Sequence, residues 1–99
     1  MLFETSSIFI ARGAEVKLYP NPTEGDLVYV EFEQLGAGRY TIEVVNQFGQ
    51  AIRSEELSLA EAQSNYRLEL IRGKTLAAGV YYLRIYGEDT EEELPFIVK

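Results

Sequence analysis

The sequence predicts an all-β chain, an immunoglobulin-like β-sandwich of about seven antiparallel strands, on three observations. Apolar and polar residues alternate with a period of two in short blocks. Turn-forming residues separate those blocks, and no long stretch carries the 3.6-residue period of an amphipathic helix. The blocks number about seven, the count such a sandwich uses.

Val16 and Leu18 alternate with Glu15 and Lys17, and Val28, Val30 and Phe32 with Tyr29, Glu31 and Glu33. Tyr40, Ile42 and Val44 alternate with Thr41 and Glu43. Further on, Tyr66, Leu68 and Leu70 stand against Arg67 and Glu69, and Tyr81, Leu83 and Ile85 against Tyr82, Arg84 and Tyr86. Two weaker blocks, 50–57 and 93–98, complete the set. Each block has one apolar face, which is what a half-buried strand requires.

The breaks have mechanisms. Pro20 and Pro22 lack an N–H and fix φ, so the chain turns at Pro20-Asn21-Pro22 and returns as a strand near Asp26, eased by Gly25. Gly36 and Gly38 in one turn and Gly49 in the next are expected to supply the positive φ of hairpin loops. Residues 58–64 have helical propensity but are too short for a stable helix, and read as a connection with room for one helical turn. Gly87-Glu88-Asp89-Thr90 is the last hairpin turn. At the start, residues 7–11 read either as an edge strand or as linker, and the consecutive Ile8, Phe9 and Ile10 favour linker. Residues 1–14 are therefore expected to be linker or an upstream remnant, with one folded domain over 15–99.

Composition excludes more than it suggests. The 99 residues are 46% hydrophobic and 25% charged, with a net charge of -7. That balance suits one globular core and argues against nucleic acid as a partner, because phosphate backbones are gripped by clustered Lys and Arg. His and Cys are both zero, so no imidazole base, Cys nucleophile, disulfide or Cys/His zinc site can be assembled. No window approaches the length of an apolar membrane span, and residues 1–12 lack the basic start of an export signal. No cofactor, metal or catalytic residue is expected. The acidic run Glu88, Asp89, Glu91, Glu92 and Glu93 lacks the spacing of a dedicated calcium loop and reads as a solvated face. Tyr29, Tyr82 and Tyr86 form a possible outward aromatic stripe for carbohydrate or protein, although cross-strand tyrosines also stabilise sheets without a ligand.

Two segments stand out: Leu18-Tyr19-Pro20-Asn21-Pro22, and the run from Leu76 through Gly79 and Tyr81 to Ile85. The second is consistent with a tyrosine corner, in which Tyr81 bonds back to upstream backbone while Leu76 plugs the end of the sandwich. With the strand and turn glycine of 42–49 and the closing Pro95-Phe96-Ile97-Val98-Lys99, they make four motifs in order. Together these resemble the type A C-terminal sorting domain of cargo proteins of the type IX secretion system. Family members usually carry an aspartate where this chain has Asn46, ahead of Gly49, and a basic approach to the end where this chain has Glu91-Glu92-Glu93.

The resemblance implies a portable address. Such a domain follows a passenger that reaches the periplasm by its own signal. It directs the passenger through an outer-membrane translocon to the cell surface or extracellular space, and is removed by a cell-surface sortase. It implies that Leu18, Tyr19, Pro20, Asn21, Pro22, Gly49, Leu76, Gly79 and Tyr81 form the sorting motif. It also suggests a translocon contact at Phe96, Ile97, Val98 and Lys99, through strand addition at an exposed edge. The competing expectation for that strand is that Phe96 and Val98 simply pack into the sandwich. Processing is expected upstream of the first domain strand, in the region of Arg12, Gly13 and Ala14. The chain starts at Met1 with no passenger ahead of it, which implies that an upstream protein was cut away or that this is an unusually short member.

Overall fold

The computed structural model describes residues 5–9, 14–72, 76–88 and 90–99. Among them are eight strands: β1 (Ser6–Phe9), β2 (Glu15–Tyr19), β3 (Leu27–Leu35), β4 (Gly38–Val45), β5 (Ala51–Leu59), β6 (Gln63–Arg72), β7 (Gly79–Tyr86) and β8 (Glu91–Val98). They form two four-stranded sheets, ordered β1-β2-β3-β6 and β5-β4-β7-β8, and every strand pairing is antiparallel. The chain changes sheet after β3, after β5 and after β6, so β3 lies beside β6 and β4 beside β7. This is an immunoglobulin-like sandwich, as the periodicity predicts.

The alternation becomes the core. Val28, Val30 and Phe32 of β3 and Val16 and Leu18 of β2 are fully buried from one sheet, and Ile42, Val44, Leu83, Ile85 and Phe96 close on them from the other. Burial of such side chains contributes roughly 1.5–3 kcal/mol each, which is how a chain of this size offsets the entropy of ordering.

Two stretches differ from expectation. Residues 6–9 are an edge strand rather than linker: Ser6 lies opposite Leu18 and Phe9 opposite Glu15, and Ile8 packs against the core. Three consecutive hydrophobics hide the alternation there, because a short edge strand is specified by the ladder it joins. Residues 58–64 hold no helical turn, since Leu57 and Leu59 keep the two-residue period, pack against the core and carry β5 to Leu59, four residues before β6 begins. In the β3–β4 turn the positive φ falls at Gln34 and Gly38, not at Gly36.

The outer face of the first sheet is bonded to itself. Lys17 Nζ lies 3.0 Å from Glu33 Oε1, and its ammonium is held above the usual lysine range by that hydrogen bond and charge. Glu31 accepts from Asn65 Nδ2 at 2.9 Å and from the Tyr19 hydroxyl at 3.1 Å, which hold its carboxyl below the usual range. Tyr19 and Tyr29 pack with ring centroids 5.4 Å apart, and the Arg67 guanidinium sits 4.9 Å from the centre of the Tyr29 ring.

Phe32→Ala is expected to cost about 3–5 kcal/mol, a large part of the roughly 5–15 kcal/mol available to a domain, as read by chemical denaturation. A loss near 1 kcal/mol would mean that this core is not packed as described. For Glu31, a folded pKa below the unfolded one adds stability that is present at neutral pH and lost as pH falls through the folded value. The stability gap between wild type and Glu31→Gln should therefore be open at neutral pH and close through the carboxylate range. A gap independent of pH would contradict the role given to its hydrogen bonds.

Candidate functional site

The direction of each strand decides where the motifs meet. β2 ends at Tyr19 and β3 begins at Leu27, while β4 ends and β5 begins on either side of the turn carrying Gly49. β7 begins at Gly79, and β8 ends at Val98 opposite it. All four motif segments, separated by up to 81 residues in sequence from Leu18 to Lys99, thus reach the same end of the sandwich.

Thr23 binds that end together. It is the one buried polar residue among those described, 1% exposed, in the segment between Pro22 and β3. Its N–H donates to Ile97 O at 2.9 Å, and its carbonyl accepts the Lys99 N–H at 2.9 Å, giving a short parallel bridge to Val98. Its hydroxyl donates to Leu27 O at 2.9 Å and accepts from the Gly25 N–H at 3.1 Å, closing the turn on itself. Beside it, Asn21 Oδ1 accepts the Ile97 N–H at 2.9 Å and Asn21 Nδ2 donates to Ser6 Oγ, so one side chain links β1 to β8. The peptide bonds before Pro20 and Pro22 are both cis.

The loop before β7 docks on the same turn. Leu76 N–H donates to Gly25 O at 2.9 Å. Gly25 has φ +90, and a Cβ there would stand 2.9 Å from both Leu76 O and a Val98 methyl, so only glycine lets the backbones approach this closely. Tyr81 is 8% exposed; its hydroxyl donates to Ala77 O at 2.7 Å and its ring stacks on Phe96 with centroids 5.8 Å apart. Tyr81 is thus a tyrosine corner, with Leu76 packed against the core below it. The neighbouring β4–β5 turn is organised by Asn46, whose Oδ1 accepts from Phe48 N and Gln50 N, and whose carbonyl accepts from Gly49 N at 3.0 Å. An asparagine side-chain oxygen makes the same turn an aspartate would.

The structure divides the residues singled out in sequence. Leu18 is fully buried in the core, while Tyr19 faces outward on the first sheet. Phe96 and Val98 are buried, Ile97 and Lys99 exposed. The outward backbone of Ile97 and Lys99, the candidate edge for strand addition, is occupied by Asn21 and Thr23. Arg12 and Gly13 lie outside the described residues, and Ala14, at the opposite end, is 2% exposed. Tyr29 is in the first sheet and Tyr82 and Tyr86 in the second, so the three tyrosines do not make one stripe. In the acidic run Glu93 pairs with Arg84 at 3.3 Å, while Asp89 lies outside the described residues.

Sequence reasoning missed Thr23. A threonine two residues before a glycine is the signature of a local hydroxyl turn, and that half was available. The bonds to Ile97 and Lys99 were not, because no local rule joins positions more than seventy residues apart.

A small antiparallel sandwich with one specialised end, where its distinctive segments are cross-bonded, is the class of domain these observations define. Residues 17–99 match the family described as the secretion system C-terminal sorting domain, and the chain belongs to that family, as a sorting domain of the type IX kind. The matched segment begins within β2 and leaves β1 outside it. No curated protein matches the chain.

Tyr81→Phe removes one hydrogen bond and should cost about 1 kcal/mol. Thr23→Val keeps the shape but leaves Leu27 O and Gly25 N unpaired, and is expected to cost about 1–3 kcal/mol. Equilibrium unfolding in urea checks both; a Thr23→Val variant as stable as wild type would remove Thr23 from the centre of this end.

Proposed function

We propose that this domain is the address of an exported passenger joined ahead of it, carried by a type IX translocon across the outer membrane and then removed by a cell-surface sortase. The observation that carries this reading is the convergence of the family's motif segments on one cross-bonded end. Leu18, Pro20, Asn21, Pro22, Leu76, Gly79 and Tyr81 work in it by building a rigid end, and Gly49 by completing the adjoining turn. The domain itself is the substrate of this machinery. The passenger passes from periplasm to cell surface or extracellular space, and the domain is discarded on maturation.

Scission between 10 and 14 has a physical consequence. It would leave β1 on the passenger side, held to the domain by its four-residue ladder with β2, by Asn21 and by the packing of Ile8. An edge strand of that length is weakly retained, so the passenger would leave with it.

A reporter carrying an export signal, placed ahead of residue 1 in a cell with a type IX system, tests the reading. It should appear outside the cell and free of the domain, and should accumulate in the periplasm when the domain is omitted. Equal release with and without the domain would overturn the proposal.

A further inference from the structure

Among the described residues the large hydrophobic side chains left exposed are Phe48, Ile52, Val80 and Ile97; three lie in strands of the second sheet and Phe48 in its β4–β5 turn, all at the motif end. Val80 and Ile97, 39% and 50% exposed, stand directly opposite one another on β7 and β8. One step along the same outward face Tyr82 lies opposite Pro95 on one side and Val45 on the other. On β5 Ile52, 42% exposed, follows Ala51, the residue opposite Val45, and Phe48, 77% exposed, sits in the adjoining turn. Exposed apolar side chains therefore lie on β8, β7 and β5 and in the β4–β5 turn, forming an apolar strip at this end, while Val45 of β4 is itself buried. Single exposed hydrophobics are ordinary, but gathered on half of one sheet face they mark an interaction site.

The rest of the molecule does not look like this. The other half of the same face carries Arg84 between Glu43 and Glu93, with Glu91 opposite Tyr86 beyond them. The outer face of the first sheet is filled by its own ion pairs and hydrogen bonds.

Resting on the sorting function, we infer that this strip docks on a protein of the secretion machinery through an apolar ridge bordered by lysine or arginine. Charge selects that occupant. The strip is bordered by Glu43, Arg84 and Glu93, the last two ion-paired, with Glu91 beyond them; three carboxylates to one guanidinium on a chain of net charge -7 leave this side in acidic excess, so a second copy laid face to face would meet like net charge, as would an anionic lipid surface. Strand addition at the end of β8 is not the mode, because Asn21 and Thr23 hold the outward backbone there. Contact is made by side chains, with Ile97 the apolar member of the 96–99 segment that faces outward.

The test compares the reporter fusion with the same fusion carrying Val80→Ser and Ile97→Ser. Deleting 96–99 would not serve, since it removes Phe96 and Val98 from the core. The double variant should melt with the wild-type domain yet release at least about tenfold less reporter, as expected when central interface anchors are lost. Arg67→Ser, on the opposite sheet, should release as wild type does. If the double variant is unstable, Phe48→Ser with Ile52→Ser is read in the same way. Wild-type release from folded strip variants would overturn the inference while leaving the sorting function standing. Failure of the unmodified fusion to leave the cell would sink both. A wild-type dimer seen by sedimentation and lost in the strip variant would give the face to a second copy instead, and would also overturn it.

Discussion

The geometry of this domain depends on a three-residue segment, 21–23, reaching across from the first sheet to close the edge of the second. A β-sandwich has open ends and open edges, and both are liabilities for a small domain. Here one device addresses both. Thr23 satisfies its own turn through its hydroxyl and the end of β8 through its backbone, while Asn21 extends the closure to β1. The turn lies between two prolines and a glycine because no regular strand could leave β2, touch β8 and return to β3 in seven residues.

Most of the fold was legible because it rests on a local rule. The period of two named the inward residues of β2, β3, β4, β7 and β8, and the same residues form the core. The rule failed where one neighbour decides the structure. Ile8 and its neighbours make an edge strand only because β2 is beside them, and residues 58–64 stay extended because Leu57 and Leu59 find the core. At the candidate site the tyrosine corner was readable, since Tyr81 bonds to a carbonyl four residues upstream. The closure by Thr23 was not, since it joins residues that are neighbours only after both sheets exist. Nor was the separation of Tyr29 from Tyr82 and Tyr86, because alternation says which residues point outward but not from which sheet.

The same closure shapes how the domain can be recognised. With the backbone of Ile97 and Lys99 taken, the end of β8 offers a partner its outward face rather than its edge. That face is apolar at the motif end and charged at the other, whereas the first sheet shows a polar network throughout. The buried motif residues build the end, and exposed apolar residues lie beside them. Motif residues such as Leu18, Leu76 and Tyr81 support that face from the core side, so a variant that loosens them alters the surface without touching it.

Native-state hydrogen exchange at the Ile97 and Thr23 amides measures the closure itself. Both should exchange as slowly as the core amides of β3 and β4, opening only when the whole domain unfolds. Rapid exchange at these two positions in an otherwise protected domain would mean that the edge of β8 is open, and that strand addition, rather than a closed end and an apolar face, governs recognition.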